Sequence, residues 1–499
     1  MRKQKSIDNL TGCWAQTRRL AADEPITGVT TDSRRVEPGS LFVAVEGYAA
    51  DGHDFIAEAI QRGARAIVFE KESYAHLIAD EVSAVRVADS RRAAAQIAAQ
   101  YWDYPSDDLV LVGITGTNGK TTTAFLADSI FRAAGASTGL LSTPGRFICG
   151  RQLEAKLTTP SSTELQELLA QMREAGATHV TMEVSSHGLA QQRTWMCKFD
   201  GAIFTNLTQD HLDFHTDLDD YFGAKLRLFT DYVELAEPNK AMVAAINIDD
   251  AFGQRIIQQT PAQTVTYGLD ETAQVSASRT RVGTGGMDFM LALPDYKPTS
   301  VKPNLIGSFN LYNALAAAAC CWGLGVEPEA IVAGLEQLEG VPGRFERIDE
   351  GQDFTVIVDY AHTPNALENV LQAARKLAPA RLLCVFGCGG DRDAGKRPQM
   401  GQIATSLSDL AVITSDNPRS EDPEAIIGQI RTGAMGDSYT VQPDRRQAVF
   451  MAVQRCRPGD ILVIAGKGHE TYQIIGDQRV PFDDREVARE AIMQVCGEA

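Results

Sequence analysis

Short runs of apolar, largely β-branched residues recur along the chain, each ended by glycine or polar residues and followed by a stretch with helical spacing. In the N-terminal part, SLFVAVEG and ARAIVFE predict buried strands and RRAAAQIAAQYW an alanine-rich helix. YPSDD at 104–108 breaks this pattern just before LVLVGITG, which sets a boundary after residue 107. From there THVTMEVSS, GAIFTNL and MVAAINIDD alternate with helical segments, predicting a parallel sheet with helices on both faces. LEGVPGRFERI at 338–348 is a Gly/Pro-marked break. Beyond it FTVIVDYAH, RLLCVFGCGG, LAVITSD and DILVIAGKG predict a second, Rossmann-like doubly wound sheet, whose polar and glycine-rich strand ends form the expected ligand edge. The pattern therefore predicts an α/β chain of three domains: a smaller α/β domain over 1–107, a central parallel-sheet domain over 108–342 and a Rossmann-like domain over 343–499.

A length of 499 residues agrees with several cores rather than one. The apolar fraction of 44% and charged fraction of 22% are ordinary for a globular chain. A formal net charge of -18 argues against nucleic acid as the main partner, but leaves room for a small anion in a locally basic pocket. The nine cysteines lack paired metal-ligand spacing and read as free thiols of a reducing compartment. MRKQKSIDNLTGCWAQTRRL has basic residues but no apolar core, and the longest apolar run, ALAAAACCWGLGV, is too short to span a bilayer. The expectation is a cytoplasmic protein with no membrane insertion, and a monomer, since nothing points to an obligate assembly.

GITGTNGKTTT at 113–123 carries the first chemistry. A phosphate-binding loop of the common pattern needs glycine, four residues, then Gly-Lys-Ser/Thr. Here that first glycine would fall on Ile114, and the glycines present are Gly113 and Gly116. The context is nonetheless strand, glycine loop, helix, so the loop reads as a nucleotide site in which glycines admit phosphate oxygens to backbone N–H groups and the helix N-terminus adds partial positive charge. Lys120 would reach the β- and γ-phosphates and the Thr121 hydroxyl would ligate magnesium. The alternative is a plain glycine turn. No guanine-reading NKxD stretch is visible, which favours ATP. Glu183 ends a strand where a metal-bridging carboxylate would stand, although a strand-end glutamate by itself reads first as solvated; His211 follows another strand and is equally readable as a ligand or a capping residue. Lys225, in YFGAKLRLF, reads from its helix alone as a surface lysine.

TTDSRR, TGTNGKTT, MEVSSHGL, NLTQDHLDFH, GSFNLYNALAA, GRFE, VDYAHTPNAL, FGCGGDRDAGKRP, SDNPR and AGKGHE together resemble the Mur ligases, in that family's order and over almost the whole chain. These enzymes form amide bonds through acyl phosphates, and the resemblance implies the member that adds the third residue of the peptidoglycan stem peptide. It implies that Gly116, Thr117, Asn118, Gly119, Lys120, Thr121 and Thr122 hold ATP, with Asn310 and Asn313 near the adenine, Arg344 on the phosphates and Asp359 on the ribose. It implies Mg2+, a pair of ions, at Thr121, Glu183, His211 and Lys225, the last as a carbamate (N6-carboxylysine); with Lys120 these are the implied catalytic residues. For the acceptor, UDP-N-acetylmuramoyl-L-alanyl-D-glutamate, it implies Thr31, Ser33, Tyr48, Ala49 and Ala50 at the UDP end. Thr158, Thr159, Ser185, Gln191 and Arg193 would grip the muramoyl-dipeptide. The three domains would then bind UDP, ATP and the incoming amino acid in turn.

TSDNPRSEDP at 414–423 discriminates among amino acids. Arg419 presents a planar fork suited to a carboxylate, unless it pairs with Glu421 or Asp422. DNPR resembles the signature of relatives that use meso-diaminopimelate, whose far carbon carries a carboxylate and an amine where lysine has only an ammonium. The resemblance adds Arg392, Asp416, Asn417, Pro418, Gly466 and Glu470 to that pocket. The alternatives are the lysine-adding ligase of the same step, another Mur ligase, a P-loop NTPase coupling hydrolysis to motion, and a nucleotide-binding regulatory scaffold.

Overall fold

Strand Val110–Thr115 is buried over nearly its whole length, as a strand covered on both faces must be. A computed structural model describes residues 5–14, 16–18, 25–47, 50–210, 214–236 and 240–497. The chain divides into two units, Met1–Ser276 with Leu315–Gly334, and Ala277–Ala314 with Leu335–Ala499. No helix among the described residues is long and apolar enough to cross a membrane.

In the first unit, parallel strands stand in the order Thr138–Leu141, His179–Glu183, Val110–Thr115, Gly201–Phe204, Val243–Asn247, Gln263–Gly268. The strands flanking Val110–Thr115 therefore come from later in the chain on both sides, and connections leave it in opposite directions, as at a topological switch point. Glu183 stands in register with Ile114, and Phe204 with Thr115, so three strand ends open side by side. On one face Leu165, Leu169 and Met172 of helix Ser162–Glu174 pack on Leu111, Val180, Met182 and Phe204. On the other, helix Lys120–Ala133 and the later part of helix Phe309–Gly323 lie against the sheet, and a Cβ at Gly201 would fall 2.7 Å from the Cys320 sulfur.

The N-terminal region of this unit has its own sheet, in the order Gln16–Arg18, Ser83–Arg86, Ala66–Phe69, Leu41–Val43, Val29–Thr30. Helix Ser90–Tyr101, capped by the Asp89 side chain accepting from Arg92 N–H, buries Ala93, Ala94, Ile97 and Tyr101 against it. The same helix packs on Ser162–Glu174 of the central region. Arg35 pairs with Glu167 at 2.8 Å and the Gln192 amide donates to Asp89 at 3.0 Å.

The second unit carries parallel strands in the order Thr355–Asp359, Ile461–Ala465, Leu382–Phe386, Leu410–Ile413, Tyr439–Val441, with Glu346–Ile348 antiparallel at the edge. Alternate residues face opposite cores. Ile357, Cys384, Phe386 and Val463 meet helices Pro364–Arg375, Lys396–Leu407 and Pro423–Arg431. Val356, Val385, Leu462 and Ile464 meet helices Arg445–Gln454 and Asp484–Gly497. The chain is thus the mixed α/β protein with a central parallel sheet that its pattern predicts. Strands Val275–Gly283 and Gly286–Ala292 were not predicted, because glycines and arginines in SASRTRVGTGG interrupt the period-two signal. GRFERI, read as part of a break, supplies the edge strand Glu346–Ile348.

Gly334 tests this packing. It lies in helix Pro328–Gln337, where alanine would ordinarily help by about 1 kcal/mol. A Cβ there would fall 2.3 Å from the Cα of Ile130, and its carbonyl accepts from Ser129 Oγ at 2.7 Å. Gly334→Ala should therefore reverse the usual sign and destabilise by about 1–3 kcal/mol, measured as the urea midpoint of the first unit; an unchanged or raised midpoint would contradict this packing.

Candidate active site

The displaced glycine of the nucleotide loop has a geometric reason. Gly116 has φ +151° and runs so close to the neighbouring strand end that a Cβ would stand 1.8 Å from Thr205 Oγ1. The segment Thr205–Thr208 then braces the loop. Thr117 N–H donates to the Asn206 carbonyl at 2.8 Å and Asn118 N–H to Asn206 Oδ1 at 3.0 Å. Thr205 Oγ1 donates to the Asn118 carbonyl at 2.7 Å, and Thr208 N–H donates to Thr117 Oγ1 at 3.0 Å. Gly119 takes φ +86° and turns the chain into helix Lys120–Ala133. Gly119, Lys120, Thr121 and Thr122 thereby begin a helix whose first N–H groups lack intrahelical acceptors, an anion-binding arrangement. The Lys120 ammonium folds back over the loop, donating to the carbonyls of Gly116 at 2.9 Å and Thr117 at 2.8 Å.

Beside the loop, Glu183 is buried at 1% exposure. Its Oε1 accepts from Thr121 Oγ1 at 2.9 Å and from Thr143 N–H at 2.8 Å, and its Oε2 from Thr143 Oγ1 at 3.3 Å. All these donors are neutral, and no basic side chain pairs with this carboxylate among the described residues. A buried anion balanced only by hydroxyls and an amide suits a hard cation that prefers oxygen. From Thr143 the network runs on: its hydroxyl meets Thr158 Oγ1 at 3.0 Å. Thr159 Oγ1 donates to the Glu183 carbonyl at 2.9 Å and meets Ser185 Oγ at 3.2 Å. Ser185 caps helix Ser186–Ala190 by accepting from Gly188 N–H. Arg193 donates to the Thr159 carbonyl at 2.9 Å and holds Gln191 Oε1 with Nε and Nη2 at 3.0 and 2.7 Å. Thr158, Thr159, Ser185, Gln191 and Arg193 thus form one connected surface, tied through Thr143 and Glu183 to Thr121.

Lys225, which its helix alone would place at the surface, is 1% exposed. Its amine donates to the Gly116 carbonyl at 2.9 Å and stands 4.3 Å from the Tyr221 ring centroid. Burial, joined by the Lys120 charge and partly opposed by Asp210, holds its pKa well below the usual lysine range. The amine is therefore held toward its neutral, nucleophilic form. His211 lies outside the described residues, and among those residues no group of three or more His, Cys, Asp or Glu side chains forms a ready metal cluster. In the N-terminal region, Ser33 is buried and donates to Glu58 at 3.1 Å, Thr31 is half-buried and Ala50 is exposed. Tyr48 and Ala49 lie outside the described residues.

The second unit holds the remaining candidates. Asn310 sits in the first turn of its helix and donates back to the Ile306 carbonyl at 2.8 Å, and Asn313 donates to Asn310 Oδ1 at 2.8 Å. The Arg344 guanidinium lies 5.0 Å from the Tyr360 ring centroid, its Nε buried and without a hydrogen-bond partner among the described residues. Asp359 accepts from Phe345 N–H at 2.7 Å and Ala361 N–H at 2.8 Å, and burial raises its pKa. At the strand ends, Asn417 Oδ1 accepts from the Lys467 ammonium at 3.1 Å, while its Nδ2 donates to Glu470 at 2.9 Å. Gly466 has φ +122°, and a Cβ there would stand 2.5 Å from Asp416 Oδ2. Burial pushes the Asp416 carboxyl up, but Arg445 and Lys467 together outweigh it and leave the pKa lowered. Buried Pro418 leads into Arg419, whose Nη1 donates to the Gly390 carbonyl at 2.8 Å; Arg392, exposed, donates to the Asp391 carbonyl at 3.0 Å. Neither guanidinium meets a carboxylate among the described residues.

Three residues of these networks escaped the sequence reading, as did Arg397, which donates to the Gly389 carbonyl at 3.2 Å. Thr143 stands in LSTPG, which matches no motif of its own, and Asn206 heads NLTQDHLDFH but was passed over for His211. Lys467 lies inside AGKGHE between two residues that were chosen, and Arg397 inside FGCGGDRDAGKRP.

Known proteins resemble this chain throughout. The profile of the Mur ligase middle domain matches residues 114–321, that of the Mur ligase glutamate ligase domain 343–468, and that of the Mur ligase family catalytic domain 25–102. The UDP-N-acetylmuramoyl-L-alanyl-D-glutamate--2,6-diaminopimelate ligase of Geobacillus kaustophilus is 45% identical over 98% of this chain and 98% of its own. The protein of the same name from Gloeobacter violaceus is 47% identical over 95% of each chain. A solved structure of a ligase of that name superposes with TM-score 0.69 at 33% identity, covering 99% of both chains. The ADP complex of the MurF ligase from Thermotoga maritima shares the fold at TM-score 0.59 and 18% identity, over 95% of this chain and 97% of that one.

The crowding at Gly116 yields a test. Gly116→Ala should weaken nucleotide binding by about a hundredfold, or ~3 kcal/mol, in calorimetric titration with ADP. Retained affinity would show that the approach to Thr205 is not needed to shape the loop.

Proposed function

From the premise that this chain belongs to the Mur ligase family, we propose how its residues divide the work of the ligation. The protein is a ligase that uses ATP to join 2,6-diaminopimelate to UDP-N-acetylmuramoyl-L-alanyl-D-glutamate, a step of peptidoglycan precursor synthesis. We take the meso isomer as its amino acid. The observation that best supports the division of roles is the unbroken hydrogen-bonded path from Thr121 through Glu183 and Thr143 to Thr158. Such a path supports a common reference for the proposed nucleotide loop and the proposed acceptor-binding residues.

A carboxylate acylates poorly because oxide is a poor leaving group. In the proposed sequence the terminal glutamate carboxylate of the acceptor attacks the γ-phosphorus of ATP, and the bond to the bridging oxygen of ADP breaks. The amine of diaminopimelate then attacks the acyl carbon, loses a proton, and expels phosphate carrying one former carboxylate oxygen. Such transfer depends on positioned charge more than on covalent help. Gly116, Thr117, Asn118, Gly119, Lys120, Thr121 and Thr122 cradle the triphosphate. Asn310, Asn313, Arg344 and Asp359 complete the ATP site. Thr31, Ser33, Tyr48, Ala49 and Ala50 bind the UDP end, and Thr158, Thr159, Ser185, Gln191 and Arg193 orient the dipeptide. Arg392, Asp416, Asn417, Pro418, Arg419, Gly466 and Glu470 receive the amino acid. Residues 1–107, 108–342 and 343–499 correspond to these three binding tasks.

Thr121, Glu183, His211 and Lys225 as its carbamate would hold Mg2+, which neutralises phosphate charge and lowers the barrier to its transfer. The buried, neutral-leaning amine of Lys225 supports the carbamate: a free amine adds to carbon dioxide, losing a proton, and an anion replaces a costly buried cation. Residues of these networks not chosen from the sequence fit the same scheme. Asn206 braces the loop, and Lys467 holds Asn417 and Glu470 in place.

Three outcomes follow. Offered diaminopimelate and lysine together, the purified protein should yield the diaminopimelate tripeptide by mass, and Arg419→Ala should raise the diaminopimelate KM by about tenfold or more. An unchanged KM would remove Arg419 from the pocket. Incubation with 13C-bicarbonate should give one carbamate resonance that Lys225→Arg abolishes; a spectrum without it, from active enzyme, would refute the modification.

A further inference from the structure

Arg419 lies in an acid-rich neighbourhood: Glu421 and Asp422 stand two and three residues after it, and Asp391 faces it from the GGDRD loop. Any of the three could neutralise its guanidinium. In the structure the hydrogen bonds of each go elsewhere, and only Asp391 still feels the Arg419 charge, without pairing with it. Asp422 caps helix Pro423–Arg431 by accepting from Glu424 N–H. Asp391 accepts from Ser420 Oγ at 2.6 Å and from Ser420 N–H at 3.2 Å. Glu421 is gripped by Arg397, whose Nη1 and Nη2 each donate to one carboxylate oxygen at 2.8 Å, and its Oε1 also accepts from Asp391 N–H at 2.6 Å.

We infer that Arg397 is a positioning and specificity residue for the amino-acid substrate, because by sequestering Glu421 it leaves Arg419 un-neutralised and free to receive the substrate's carboxylate. The inference rests on the proposed role of Arg419. Arg397 is 1% exposed, and beyond Glu421 it donates to Gln429 Oε1 at 2.7 Å and the Gly389 carbonyl at 3.2 Å. It thus joins the loop that carries Arg392 to the loop that carries Arg419. Those loops touch closely, since a Cβ at Gly390 would stand 1.9 Å from the Pro418 carbonyl oxygen. Arg419 itself takes φ +52° and is pinned by its backbone, its N–H donating to the Ile474 carbonyl at 3.1 Å and its carbonyl accepting from Gly476 N–H at 2.8 Å. Among the described residues its Nη1 reaches carbonyls alone, those of Gly390 and Asn417, which orient the fork without pairing its charge. The Arg397 hydrogen bonds hold the Glu421 carboxyl down at about 2; released, it would still carry an ordinary carboxylate's charge at neutral pH, two residues from Arg419. A planar fork suits this task better than an ammonium, because it occupies both carboxylate oxygens at once.

Steady-state kinetics of the full chain test this. Arg397→Met should raise the diaminopimelate KM by about tenfold, with the ATP KM changed by less than about twofold. The double variant Arg397→Met with Glu421→Gln should recover most of that loss, because the freed side chain no longer carries charge to neutralise Arg419. Arg397→Lys, which keeps the charge but loses the fork, should fall between and serves if Arg397→Met does not fold. Failure of the double variant to improve on Arg397→Met, a parallel rise in the ATP KM, or an Arg397→Lys enzyme with unchanged diaminopimelate KM would each overturn the inference. If Arg419→Ala alone leaves that KM unchanged, the proposed pocket has failed; if it raises the KM while the Arg397 variants do not, only this inference has.

Discussion

The carboxylate of Glu183 sits where three otherwise separate segments meet: the first turn of helix Lys120–Ala133, the Thr143 turn and the end of its own strand. A buried carboxylate is costly unless its lone pairs are met, so these donors are held to it as firmly as it is to them. Its place is set by the ladder that registers His179–Glu183 against Val110–Thr115. A shift of one residue would turn the carboxylate to the opposite face and separate Thr121 from Thr143. The glycine loop and Thr158 and Thr159 thus share a single anchor, which suits the proposed transfer of a phosphoryl group from one to the other.

The first unit makes a second commitment at Lys225. An ammonium buried beside the Lys120 charge is unfavourable, and because Asp210 offsets this only in part, the pKa is lowered. The amine is steered by a backbone carbonyl of the nucleotide loop itself. Stability would be better served by leucine at this position; a retained buried lysine speaks for chemistry that needs an amine.

The second unit solves the converse problem of keeping cations available among acids. Arg445 is spent on Asp484 in a fully buried pair, Lys467 on Asn417 and Glu470, and Arg397 on Glu421. Arg392 and Arg419 are left with carbonyl contacts alone among the described residues. A substrate with a carboxylate at each end would find these guanidiniums uncompensated, and the lost hydration of both partners would be recovered through paired hydrogen bonds. Selectivity in such a pocket depends as much on which acids are already occupied as on which bases are present.

Much of this was legible in the chain. Apolar runs with glycine-rich ends predicted both sheets and the edge at which the strand-end residues gather, because burial on two faces imposes continuous hydrophobicity. GTNGKTT announced a nucleotide loop despite its displaced glycine, and the order of motifs identified the family. Strand Val275–Gly283 stayed hidden because its exposed middle carries no strict alternation, and Gly286–Ala292, which does alternate, opens on a glycine run that masks its start. Lys225 looked like a surface residue because helical position does not report depth, and Thr143, Asn206 and Arg397 act through partners tens of residues away that local spacing cannot reveal. By itself the sequence determined the family, the sheets and the chemical character of the ligands, all written in local pattern and residue type. Only the tertiary structure decided which charges are spent on one another and which remain open, because hydrogen bonding and burial depend on neighbours brought together by folding.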